Sequence, residues 1–138
     1  MSAPIRLRGL DHLVLRTARL ESMIAFYRDA LGCAVERRLD DLGLVQLRAG
    51  ASLIDLIDVA GELGKEGGAA AGPTARNLDH FCLQLAEFDA GAIARHLGAH
   101  GVAVGEVTRR YGAEGFGPSV YFKDPDGNMV ELKGPAEG

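Results

Sequence analysis

The sequence of 138 residues predicts an α+β fold in which two βαβββ modules build a cup-shaped mixed sheet with helices on its outer face. Three observations predict it. The segment Leu10-Asp11-His12 recurs as Leu78-Asp79-His80 about half a chain later, and each copy opens an apolar run that ends on a leucine, Leu15 or Leu83. Each copy is followed by a helical stretch and then by three strand-like runs. A carboxylate stands inside the last strand-like run of each half, Asp55 within 53–57 and Glu131 within 129–132.

In the first half, residues 10–15 alternate as a strand does. Leu20, Met23, Ile24, Tyr27 and Leu31 recur at the spacing of one helix face, and Gly32 closes that helix as a C-terminal glycine would. Strands are predicted over 34–38, 42–47 and 52–59, joined by short turns at Asp40-Asp41 and Ala49-Gly50-Ala51. The second half has a strand over 79–85, a helix over 89–97 ended at 98–101, and strands over 102–108, 119–123 and 128–133. Asp124-Pro125-Asp126-Gly127 joins the last two as a tight turn, proline fixing φ and glycine supplying a positive one. Five glycines and Pro73 make 60–75 a linker or lid between the modules, and 112–118 is a second glycine-rich interruption. The length suits a single domain, placed at 8–138 with modules 8–60 and 77–134.

Composition narrows the function. The formal net charge of −4, with lysine and arginine dispersed, offers no footprint for a nucleic-acid backbone. Tryptophan is absent and aromatic residues are 6%, so a stacking platform is lacking as well. No apolar stretch reaches the length of a membrane span, and the amino terminus has no signal-peptide pattern. Cys33 and Cys82 form no Cys-x-x-Cys spacing and are expected as reduced thiols, which with the rest predicts a cytoplasmic protein.

Side chains alternate across a strand, so His12 shares a face with Val14 and Arg16, and His80 with Cys82 and Gln84. Asp55 lies opposite Ile54 and Leu56, and Glu131 opposite Val130 and Leu132. An acid in the middle of an apolar strand is costly to desolvate unless paired or coordinated. Two imidazoles and two carboxylates at duplicated positions share one explanation: His12, Asp55, His80 and Glu131 are the ligands of a divalent cation, zinc, nickel, cobalt, manganese or iron. Asp11 and Asp79 are expected as solvated residues where the strands begin, and His96 and His100 as a solvated pair at a helix end. Arg109 and Arg110 flank a glycine-rich stretch and are candidates for an anionic group of a substrate.

At these residues the chain resembles the vicinal oxygen chelate superfamily, which groups glyoxalases, bleomycin-resistance proteins and ring-cleaving dioxygenases. The resemblance rests on 10–15, on the helix motif 26–32, on His80 and on the closing segment 121–132. It implies a glyoxalase-like fold and a small-molecule substrate, and it makes His12, His80 and Glu131 ligands with Asp55 at the fourth position, where glyoxalase I carries glutamate. It further implies a metal-dependent lyase or isomerase that chelates neighbouring oxygens of a carbonyl compound and stabilises an enediolate, with Glu131 as the proton-transferring group. Arg16 matches the arginine that glyoxalase I turns to the glutathione carboxylate, and Arg109, Cys82 and Tyr121 complete the expected substrate contacts. The asparagine of the glutathione site is replaced by Val59. Three other activities stay open: an extradiol-type Fe(II) dioxygenase using only His12, His80 and Glu131, a non-catalytic binder of an antibiotic or metabolite, and a thiol transferase acting on an epoxide antibiotic. The resemblance also implies a homodimer, and the cup closes either within one chain or across two.

Overall fold

In the computed structural model, which describes residues 4–137, strand β1 (His12–Thr17) leads into helix α1 (Leu20–Ala25). That helix continues as a π-helical turn over Phe26–Ala30. The wider turn fits the sequence stripe: Met23, Ile24, Tyr27 and Ala30 are all buried, and the backbone closes with Cys33 N–H donating to Tyr27 O at 2.9 Å. Gly32 follows with φ +74°, the left-handed turn expected of it. Strands β2 (Ala34–Leu39), β3 (Leu44–Ala49) and β4 (Ser52–Asp58) complete a four-stranded sheet in the order β1-β4-β3-β2.

The second sheet repeats this plan with β5 (His80–Gln84), helix α2 (Ala90–Ala99), β6 (Thr108–Gly112), β7 (Gly115–Lys123) and β8 (Met129–Lys133), in the order β5-β8-β7-β6. In each sheet the histidine strand runs parallel to the carboxylate strand, β1 with β4 and β5 with β8, while the other neighbours are antiparallel. The α+β class and the strand–helix–three-strand order therefore hold in both halves. Asp89 caps α2, its side chain accepting from Ala92 N–H at 3.0 Å, so it precedes the helix instead of belonging to it.

One stretch differs from expectation. Residues 102–107 carry no strand, β6 starts only at Thr108, and the glycine-rich segment expected as an interruption is the start of β7. Glycine is there for close approach: a Cβ at Gly117 would lie 2.8 Å from Pro135 O and 3.1 Å from Gly134 O. The linker is structured too, with a 3-10 turn at Gly64–Gly67.

The apolar faces of the two sheets turn toward a shared interior. Met23, Ile24 and Tyr27 pack against Leu15, Val45, Leu47, Ile54 and Leu56, with Phe81 and Leu83 of β5 alongside. Ala30, Leu97, Val120, Phe122, Val130 and Leu132 form the companion cluster, and Phe26 and Leu31 touch both. A buried polar joint ties the halves: Tyr27 Oη donates to Asp124 Oδ2 at 2.7 Å. Asp124 also accepts from the Asp126 and Asn128 backbone N–H groups and from Asn128 Nδ2, which fixes the turn whose Gly127 has φ +81°. No described helix is long and apolar enough to cross a membrane.

Candidate functional site

Because the apolar faces look inward, the opposite faces carry the candidate ligands outward. On the first sheet, His12, Val14 and Arg16 share a face with Leu53, Asp55 and Ile57, and the β3 register adds Gln46. Asp55 is 4% exposed, with Gln46 Nε2 donating to its Oδ2 at 3.2 Å and Arg37 donating to Gln46 Oε1 at 3.3 Å. Its Oδ1 is buried and accepts no hydrogen bond. On the second sheet, His80 and Cys82 share a face with Met129, Glu131, Tyr121 and Ser119. Glu131 is 5% exposed; Ser119 Oγ donates to its Oε2 at 2.6 Å, and His80 Nε2 lies 3.2 Å from its Oε1.

Both histidines are oriented alike. Asp11 Oδ2 lies 2.7 Å from His12 Nδ1, and Asp79 Oδ2 lies 2.7 Å from His80 Nδ1. The two aspartates are solvated, as expected, yet each carboxylate stands at hydrogen-bond distance from Nδ1 of the ring beside it, a partner that favours a proton on that nitrogen. The hydrogen bond to Asp11 raises the His12 pKa above the usual imidazole value, and the charge of Asp55 adds to that.

The pairs His12/Asp55 and His80/Glu131 do not meet in one chain. Among the described residues no three His, Cys, Asp or Glu side chains come close enough to hold a single ion. Two clefts in the chain, one beside Arg19, Arg38 and Asp58 and one beside Phe26, His100 and Tyr121, contain none of the four. Each sheet presents one imidazole–carboxylate pair, His12 with Asp55 and His80 with Glu131.

The expected substrate contacts are distributed unevenly. Arg16 is on the ligand face, but its guanidinium donates to Gly64 O at 2.8 Å, Gly68 O at 2.5 Å and Ala69 O at 3.4 Å, so it fastens the linker. Gly67 lets that guanidinium lie against the backbone, since a Cβ there would meet Arg16 Cζ at 2.4 Å and push it aside. Arg109, paired with Pro118, lies on the strand face opposite that of Glu131, stacks over Phe116 at 4.1 Å and lies 3.9 Å from Glu137. Strand β6 begins at Thr108, and in that register Arg110 takes the ligand face, its guanidinium 5.9 Å from the Tyr121 ring. Tyr121 sits edge-on to His80, centroids 5.7 Å apart. The exposed Cys82 thiol is pushed up to about 11 by burial of its sulfur and by the neighbouring Glu131 charge, so it stays protonated at neutral pH and is a poor nucleophile. His96 is less free than expected, its Nε2 donating to Ala30 O at 2.8 Å.

Gln46 and Ser119, which hold the two carboxylates, carried no motif in the sequence. Only the cross-strand register brings Gln46 opposite Asp55 and sets Ser119 diagonal to Glu131.

With this geometry in view, the match to known proteins is specific: residues 9–132 fit the model of the Glyoxalase/Bleomycin resistance protein/Dioxygenase superfamily. The chain belongs to that superfamily. Its relatives include the glyoxalase domain-containing protein RDO1 of Mycosarcoma maydis, 33% identical over 93% of this chain and 69% of that protein. The glutathione transferase FosA of Serratia marcescens is 27% identical over 91% of this chain and 80% of the relative. Among solved structures, the integron cassette protein VCH_CASS1 of V. cholerae superposes with a TM-score of 0.74 at 27% identity, covering 94% of this chain and 97% of that one. Superfamily membership spans both sheets and all four candidate donors, and the relatives differ in the activities their names state.

Proposed function

We propose that this chain, one unit of two modules, is a divalent-cation-dependent enzyme of glyoxalase type, a lyase or isomerase acting on a small carbonyl compound through two neighbouring oxygens. The working unit is a homodimer in which His12 and Asp55 of one copy face His80 and Glu131 of the other. The observation that carries this reading is the His80–Glu131 pair. Two donors about 2.1 Å from one ion stand about 3.0 to 3.4 Å apart, and His80 Nε2 and Glu131 Oε1 stand 3.2 Å apart. Asp55 Oδ1, buried with no hydrogen-bond donor, suits the same role on the other half-site.

When bound, the cation supplies Lewis-acid stabilisation of charge on the substrate oxygens. Glu131 moves the proton: with Ser119 anchoring Oε2, Oε1 would leave the cation position, accept the proton of the carbon beside those oxygens and return it to the neighbouring carbon. Tyr121 and Arg110 border that position and orient the substrate. Cys82 stays a protonated wall residue.

A second reading, thiol transfer to an electrophilic small molecule, is favoured by the likeness to a glutathione transferase and by Gln46, which holds one oxygen of Asp55. Should Asp55 stay off the ion, three protein donors remain and more positions open for substrate.

Elemental analysis of protein purified without chelator, followed by turnover with each candidate cation on glutathione hemithioacetals, catechols, acyl-CoA epimers and an epoxide with thiol, separates these activities. Glu131→Gln is expected to abolish turnover even where some cation is retained. Turnover within tenfold of wild type in that variant, or a monomer by sedimentation that binds a cation as tightly as the dimer, overturns the reading.

A further inference from the structure

The ligand face of the second sheet continues past His80 and Glu131 into a cationic corner that the proton chemistry leaves unused. Alternation along β8 puts Lys133 on the face of Glu131, two residues further on, and the pairings Thr108 with Ser119 and Ser119 with Lys133 set these three in one cross-strand row. Arg110 and Gly117 form the next row. Lys133 is 5% exposed, a rare place for a lysine.

Two glycines keep a slot open for it. A Cβ at Gly112 would lie 3.0 Å from both Cδ and Cε of Lys133, and one at Gly117 would lie 3.1 Å from its Nζ. The stem thus leans from β8 across β7 toward β6, and the ammonium is held over the sheet by packing of its methylenes. It forms no ion pair among the described residues. Glu131 is the nearest acid along β8, and both its oxygens are engaged, one by Ser119 and one beside His80. In the same row Thr108 Oγ1 is buried with no hydrogen-bond partner.

Lys133, with a buried stem and an ammonium in no ion pair among the described residues, stands beside a buried hydroxyl with no hydrogen-bond partner, and these are donors that an acceptor-rich ligand would satisfy. A charged oxygen group accepts from several donors at once and offsets the positive charge of the corner. We infer that Lys133 and Thr108, with Arg110 at the mouth, form a subsite for an anionic oxygen group of the substrate, a carboxylate or a phosphoryl-type group, about 7 Å from Glu131 along the strand. This deepens the proposed function, on which it rests only for the other end of the substrate.

The test uses cation-free protein, so that phosphate has no metal to bind. Inorganic phosphate and, separately, acetate are titrated at constant ionic strength against chloride, following the Gly112 and Gly117 amide signals by NMR and the thermal midpoint. Saturable shifts are expected with phosphate or acetate and absent with chloride, and the tighter of the two identifies the group. Lys133→Met is expected to weaken binding at least tenfold. Gly112→Ala, which displaces the lysine without removing its charge, is expected to weaken it comparably and keeps the test decisive if Lys133→Met folds poorly. Thr108→Val is expected to raise the thermal midpoint of the anion-free protein while weakening anion binding at least threefold. Unsaturable shifts, equal responses to chloride, or unchanged affinity in Lys133→Met and Gly112→Ala overturn the subsite. Cation affinity is measured on the same samples: its retention in the variants separates loss of the subsite from failure of the cation site.

Discussion

Removing one oxygen atom at the joint between the modules tests how the two sheets are held together. Tyr27 is fully buried, its ring edge-on to Phe26 at 5.0 Å and stacked on Phe81 at 6.5 Å, and its hydroxyl donates to the buried Asp124 carboxylate at 2.7 Å. Tyr27→Phe keeps the ring and deletes that bond. A hydrogen bond to a charged acceptor contributes about 1.5–3 kcal/mol, and the three donors left on Asp124 keep its turn formed, so a loss of about 2 kcal/mol is expected. With a urea m-value of about 1.5 kcal/mol/M, the unfolding midpoint falls by roughly 1.3 M, measured at matched protein concentration. Alkaline pH gives a second reading. Burial and the Asp124 charge push the Tyr27 phenol far above its ordinary value. Its contribution is therefore full below about pH 10, where the unfolded tyrosine begins to ionise, and declines above it by up to about 1.4 kcal/mol per pH unit. Tyr27→Phe lacks that component of the decline. A stability loss under 0.5 kcal/mol, or identical alkaline slopes in the two proteins, refutes the joint.

Other perturbations reach the site itself. Asp11→Asn and Asp79→Asn, which loosen the rings of His12 and His80, are expected to weaken cation binding 10- to 100-fold by calorimetry. Asp11→Asn also returns the raised His12 pKa toward its ordinary value, so the His12 titration midpoint in the cation-free protein, followed by NMR, moves down, and an unmoved midpoint counts against that orientation. Alkylation of Cys82 by iodoacetamide at pH 8 is expected to be about tenfold slower than for an unperturbed thiol, the small thiolate fraction outweighing the greater nucleophilicity of a basic thiolate, given a pKa of about 11, and to quicken in Glu131→Gln. Gly67→Ala forces the Arg16 guanidinium off the linker carbonyls; limited proteolysis within 60–75 is expected to speed at least tenfold, and an unchanged rate removes Arg16 as the fastener.

Much of this molecule is written locally. The duplicated Leu-Asp-His, the helical stripe from Leu20 to Leu31 and the Asp124-Pro125-Asp126-Gly127 turn each act over a few residues, so their elements follow from propensity and alternation. The same alternation put His12 and His80 on the strand faces opposite the apolar ones, the faces expected to line a cup. It missed the start of β6, because the glycines of 112–117 signal interruption to a local reading although they serve close packing against 133–135. In the observed register Arg110 shares the face of Glu131 and Arg109 takes the other, since neighbours along a strand point to opposite faces.

Sequence by itself determined the superfamily, the two repeated modules and the identity of the four candidate donors, since these depend on residue type and spacing along the chain. Only the tertiary structure decided where the donors go. The apolar faces of both sheets share the π-turned helix between them, which sets His12 with Asp55 and His80 with Glu131 on outward faces of one chain. Cross-strand register, invisible in a linear sequence, brought Gln46, Ser119 and Lys133 to those faces, because hydrogen-bond pairing between strands fixes which distant residues stand side by side.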